Sequence, residues 1–182
     1  MEQIRNLNKG SYLPRRNDPG SQNQEPTSFC IGGAAYPDMA DEHQRISYFK
    51  RKVEAGAEYG ITDMLFDPES YARFLDSCGK NNINVPILPG TRILKSQDQV
   101  QKMLARFKVN VPKKLIDSLP EKDGPDCFER SIDLFVEFAE RLNVLGAPGI
   151  HVFVIGDTSG ACEALRRLAE GPKKVRYVVE GS

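Results

Sequence analysis

FCIGGAAYPDMADEHQRISYFKRK, residues 29–52, decides how this chain is read. It opens with a short apolar run of small residues, turns at Tyr36-Pro37-Asp38, and continues into an amphipathic segment rich in positive charge. Phe29–Tyr36 reads as a strand buried on both faces, which a parallel sheet covered by helices demands. Gly32, Gly33, Ala34 and Ala35 leave little side-chain volume, making room for a ligand or for a larger neighbour. Asp41 or Glu42 begins a helix on which Ile46, Phe49 and Val53 recur at helical spacing, with Gly56 at its C-terminal cap. Lys50, Arg51 and Lys52 gather in its second half, where a solvated face beside the negative end of the helix dipole accounts for them. An anion contact by one or two of them is the alternative.

The same plan recurs downstream. Tyr59–Phe66 reads as a second strand, and Asp67-Pro68 caps a helix with proline at its first position. Tyr71, Phe74, Leu75 and Cys78 form that helix's apolar face, and Gly79 is expected to stop it. Asp63 lies inside the strand, where a buried carboxylate must be paired or functional. Val85–Leu88 reads as a third strand with Pro89-Gly90 as its exit turn, and Ser96 with Gln99 forms a capping box. A helix carrying Val100, Met103, Leu104 and Phe107 follows, then a short helix from Pro112. A long helix over about 126–145 buries Phe128, Ile132, Phe135, Ala139 and Leu142. Gly149–Ile155 reads as a fourth strand, leading through Gly156–Gly160 to a helix with Ala161, Leu165 and Leu168 on one face. That glycine loop fits neither a Walker A nor a Rossmann fingerprint.

Three domain-level segments follow. Residues 1–27 are polar and rich in turn formers, and an extended or partly disordered arm is expected, with Arg15-Arg16 as a solvated pair. Residues 28–172 form the α/β domain, and 173–182 a tail or short extra strand. The chain has 182 residues with 25 basic and 25 acidic side chains, so bulk charge gives no support for nucleic-acid or membrane binding. No apolar run is long enough to span a bilayer and the N-terminus lacks a secretory apolar core, so a cytoplasmic protein is expected. Four widely spaced cysteines and only two histidines, His43 and His151, argue against a zinc site. Reduced, mostly buried thiols are expected.

Four strand–helix units in sequence predict a parallel sheet with right-handed crossovers, an α/β fold built of TIM-barrel-type (β/α) units. Four units make half of an eight-stranded barrel, an incomplete barrel; an open flavodoxin-like sheet is the alternative. Either way a ligand belongs at the C-terminal strand ends, which carry Tyr36, Pro37 and Asp38; Asp63 and Asp67; Thr91 and Arg92; and Asp157 and Thr158.

Residues 26–38 (PTSFCIGGAAYPD), 49–78, 83–99 (INVPILPGTRILKSQDQ), 106–119 (RFKVNVPKKLIDSL) and the GIHVF strand resemble the methylenetetrahydrofolate reductase family, in order and with similar spacing. The resemblance implies an eight-stranded barrel with FAD at its C-terminal face. It implies hydride transfer from NADH or NADPH through FAD to methylenetetrahydrofolate, in one-carbon and methionine metabolism. Tyr36 would then contact FAD, and Arg51 and Lys52 would meet its phosphates or adenosine end. His43 stands for the family's histidine after the Tyr-Pro turn, in a loop that is shorter here. Gln99 matches a glutamine that binds folate or nicotinamide, and Asp63 stands at a substrate contact where the family has glutamine.

Two further departures matter. Asp157 replaces an arginine that would recognise the folate glutamate, and Arg45 and Tyr48 replace polar FAD contacts. The matching region begins at the family's fifth strand. The general acid and the flavin-edge aspartate have no counterpart here, so no catalytic residue is assigned. The expectation is a truncated or split reductase, with negligible activity for this chain alone. It would pair as a homo-oligomer or with a partner carrying the N-terminal half-barrel. A noncatalytic structural or interaction module with a degenerate flavin site is the alternative.

Overall fold

A computed structural model describes residues 1–124, 127–154 and 158–171. Four parallel strands, β1 (Gly32–Ala35), β2 (Tyr59–Met64), β3 (Ile87–Thr91) and β4 (His151–Val152), lie in sequential order in one sheet. Helix α2 (Glu42–Glu54) links β1 to β2, and α3 (Pro68–Lys80) links β2 to β3. Between β3 and β4 the chain forms α4 (Gln97–Leu104), α5 (Lys113–Asp117) and α6 (Cys127–Val144). Helix α7 (Ser159–Glu170) follows β4, and α1 (Glu2–Leu7) precedes β1. Parallel strands in sequential order, joined by helices, are half of a (β/α)8 arrangement.

Local chemistry sets the helix starts. The side chains of Asp41, Asp67 and Ser96 accept hydrogen bonds from the amides of Gln44, Glu69 and Gln99 at 2.9, 3.1 and 3.2 Å. Gly56 takes φ +101° just past α2, a conformation that a side chain would strain. Phe49 and Phe74 pack with ring centroids 5.8 Å apart between α2, α3 and the sheet. They are joined there by Ala35, Ile46, Leu65, Tyr71 and Ile87. Second and third clusters lie under α4–α5 and between α6 and α7.

Several expectations are corrected. Gly33 and Ala35 are buried but Gly32 and Ala34 are exposed, so β1 is covered on one face only. Its helix face meets α2, whereas the other face lines the concave side of an open half barrel. The glycines admit larger neighbours: a Cβ on Gly32 would lie 2.5 Å from the Tyr59 ring, and one on Gly60 2.6 Å from the Phe49 ring. Gly79 stays inside α3, and Asn82, at φ +59°, turns the chain after it. Pro89 and Gly90 belong to β3 and are not its exit turn. There the pairing with β2 shifts register between Ile61 and Met64, which accommodates the proline in the ladder.

On α7, Ala161, Ala164 and Leu168 face inward and Leu165 is exposed. Cys78 and Cys127 are buried, but Cys30 and Cys162 are exposed. Residues 1–27, expected as extended chain, contain α1 and a 3-10 helix at Pro19–Gln22. The Asn8 side chain pairs with the Phe29 backbone, donating to its carbonyl at 2.8 Å and accepting from its amide at 3.0 Å. The 173–182 tail lies outside the described residues, as does Asp157. Among the described residues no helix is long and apolar enough to cross a membrane.

Candidate functional site

Parallel strands point their C-terminal ends one way, and here β1 and β2 bring Tyr36 and Asp63 onto the same open face. Both line a concave hollow of about 460 Å³ with Ala34, Tyr59, Ile61 and Phe153. Both also line an adjoining hollow of about 450 Å³ at the strand ends, with Asp38, Met39 and Lys108. Tyr36 is 40% exposed, enough for its ring to meet a ligand. Asp63 is exposed and caps its neighbour, accepting a hydrogen bond from the Met64 amide at 2.8 Å. It therefore needs no buried partner, which removes the argument from its apparent position inside a buried strand.

Lys52 joins this group from α2. Its ammonium lies 4.9 Å from the Tyr36 ring centroid and donates a 2.6 Å hydrogen bond to the Ala34 carbonyl. Partial burial holds its basicity below that of an ordinary lysine.

The other proposed contacts lie elsewhere. His43 and Arg51 share an outer groove with Glu42, Lys50, Glu54 and Asn81, away from the concave face. Adjacent residues on a helix diverge by roughly 100°, and here Lys52 reaches the Tyr36 ring while Arg51 lines the outer groove. Gln99 closes the start of α4, its Oε1 accepting from the Lys95 amide at 2.8 Å. It also lines a small pocket with Arg92 and Phe153.

Asp38 and Arg45 gain roles that residue type alone did not disclose. Arg45 donates to the Pro37 and Met39 carbonyls at 2.7 and 3.1 Å, and so pins the turn that presents Tyr36. Asp38 follows that turn near the Ser70 hydroxyl and the Asn110 backbone. Burial raises its carboxyl above the usual range, and these hydrogen bonds only partly oppose it. Polar residues just after a strand-ending Tyr-Pro pair are the signal that pointed here. Among the described residues no cluster of three or more His, Cys, Asp or Glu side chains could hold a metal ion.

Residues 21–169 match the methylenetetrahydrofolate reductase family. A 5,10-methylenetetrahydrofolate reductase of Buchnera aphidicola subsp. Schizaphis graminum is 39% identical over 133 residues, 70% of this chain and 46% of that protein. The enzyme of the same name from Buchnera aphidicola subsp. Acyrthosiphon pisum is 30% identical over 137 residues, 71% of this chain and 47% of that protein. The chain thus spans about half the length of these two relatives. A solved Clostridium thermocellum protein, described as binding two copies of 5-methyl-5,6,7,8-tetrahydrofolic acid, shares the fold. Its TM-score is 0.50 at 23% identity, covering 78% of this chain and 52% of that one. Four parallel strand–helix units, a Tyr-Pro turn at the first strand end and a match over most of the sequence agree: the chain belongs to the methylenetetrahydrofolate reductase family.

Proposed function

We propose that this chain supplies the folate-facing half of a methylenetetrahydrofolate reductase barrel, with its concave face as the ligand surface. The carrying observation is the meeting of Tyr36 and Asp63 on that face, at the C-terminal strand ends where barrel enzymes bind. The Clostridium neighbour, described as binding 5-methyl-5,6,7,8-tetrahydrofolic acid and sharing the fold, supports a folate ligand.

FAD, when bound, would carry the hydride from NADH or NADPH to methylenetetrahydrofolate. The residues fit it in part. A cation against an exposed aromatic ring, Lys52 with Tyr36, suits a ring-bearing anion at the strand end. His43 and Arg51 would meet only a portion that reaches round to the outer groove. A complete barrel has eight strand–helix units, so turnover is expected only where the four described here are completed by the other four.

The test is calorimetric titration of 5-methyltetrahydrofolate into the purified chain and its variants. Asp63 places a like charge near a ligand that ends in glutamate, worth about 1 kcal/mol at an exposed site. Asp63→Gln is therefore expected to tighten binding three- to tenfold, and Tyr36→Ala to weaken it about tenfold. Equal affinity in all three proteins would remove the concave face from the account.

A further inference from the structure

A larger apolar hollow than those holding Tyr36 also lies near the strand ends. A cavity of about 630 Å³ opens between the start of α3, α5 and the middle of α6, floored by Phe66 and Thr91 at the ends of β2 and β3. None of the residues carried over from the family resemblance lines it. Its walls are mostly apolar, with Leu94, Leu115, Leu134, Phe135 and Phe138 prominent. That size and character match a small-molecule site.

Its charges are unbalanced. Glu69 is spoken for by Arg141 at 2.8 Å, and Asp67 by its cap on α3 and by Arg73 at 3.2 Å. Arg92 stands apart from these pairs. Its Nε is buried with nothing to accept its hydrogen bond, and among the described residues no carboxylate pairs with it. Partial burial works against its charged form. Lys114 and Arg130 add positive charge at the wall, and Glu137 is the remaining acid there. A buried guanidinium N–H without an acceptor costs stability, and an incoming anion is the simplest group to satisfy it.

We propose that this cavity is a second ligand site, taking an amphipathic anion whose apolar ring system enters between α5 and α6 and whose carboxylate, sulfonate or phosphate meets Arg92. It goes beyond the concave-face reading and does not depend on it.

The test uses the purified chain with two fluorescent probes, anionic 8-anilino-1-naphthalenesulfonate and its uncharged analogue N-phenyl-1-naphthylamine. Wild type is expected to bind one anionic probe per chain. A hydrogen bond to a charged group is worth about 1.5–3 kcal/mol, so Arg92→Met is expected to weaken that probe roughly tenfold or more. The same change leaves the uncharged probe within about twofold, and Arg92→Lys recovers part of the loss. Ser118→Trp, at the cavity wall, weakens both probes alike. Should Arg92→Met fail to fold, the Arg92→Lys and Ser118→Trp proteins still decide the matter. The proposal is overturned if the anionic probe does not bind, if it binds Arg92→Met or Ser118→Trp as tightly as wild type, or if Arg92→Met weakens both probes equally.

Discussion

The ammonium of Lys52 lies 4.9 Å from the centre of the Tyr36 ring, at the outer edge of β1. The Ile31 carbonyl accepts from the Glu58 amide at 2.7 Å, on the side facing β2. Alternation along a strand then sends the Ala34 carbonyl to the open edge, where Lys52 meets it at 2.6 Å. Lysines on edge strands discourage pairing with other chains. Lys52, reaching over from α2, thus orders a candidate ligand contact and covers a strand edge that is unpaired among the described residues.

Replacing it separates those roles. Lys52→Met removes one hydrogen bond and one cation–ring contact and should cost about 1 kcal/mol of stability. It should also increase self-association, because the Ala34 carbonyl is released. Urea denaturation and sedimentation velocity measure the two effects. Unchanged stability together with unchanged association would remove this role from Lys52.

Two glycines should respond in opposite directions. A Cβ on Gly90 would lie 2.3 Å from the backbone oxygen of Thr62, which cannot swing aside, so Gly90→Ala should lose several kcal/mol or fail to fold. A Cβ on Gly79 meets nothing within 4 Å and sits inside α3. Gly79→Ala should gain roughly 0.5–1 kcal/mol from helix propensity. Thermal denaturation of both variants provides the comparison.

Those glycines also show what was legible in the sequence. The helix starts at Asp41, Asp67 and Ser96 were readable because a cap is satisfied within a few residues of chain. Sequential parallel order was readable from four repeats of one plan. Gly79 and Pro89-Gly90 were misread because punctuation residues are permissive: a helix tolerates an exposed glycine, and a register shift tolerates a strand proline. The candidate site was legible only in part. Tyr36 and Asp63 sit at predicted strand ends, but their meeting depends on register. The unsatisfied Nε of Arg92 depends on what its neighbours in space, distant in sequence, fail to supply among the described residues.

Asp38 makes stability depend on pH in a specific direction. Burial raises its folded-state pKa above the ordinary value of 3.8, against the opposing Ser70 and Asn110 hydrogen bonds and the nearby Arg73, and with the help of Asp67. The protonated carboxyl is the form that the fold prefers. Its contribution is fully present below the unfolded pKa and is lost as pH rises through the folded one. Asp38→Asn should therefore gain stability relative to wild type at pH 7 and lose that advantage near pH 3. Urea midpoints at the two pH values test this; a difference that does not change with pH would contradict it.

Thiol reactivity should split the cysteines. Cys30 and Cys162 are exposed and should react promptly with a disulfide reagent. Burial pushes the Cys78 thiol up to about 12, and Cys127 is buried against the Lys122 carbonyl at 3.1 Å. Both should react only as the protein opens. Fast reaction of all four would show that the helix layer over β2 and β3 is looser than described.

We propose that the four strands described here carry ligand contacts of a reductase barrel and act together with the barrel's other four. This central claim is tested most directly by methylenetetrahydrofolate-dependent oxidation of NADH or NADPH, with FAD added. The assay compares the purified chain alone with the chain mixed with a polypeptide carrying the first four strand–helix units of a family relative. Without a positioned general acid the rate falls by about 10²–10⁴, so negligible turnover alone and a clear rise on mixing are predicted. Turnover by the chain alone at the rate of a full-length relative, or no rise on mixing, would contradict it.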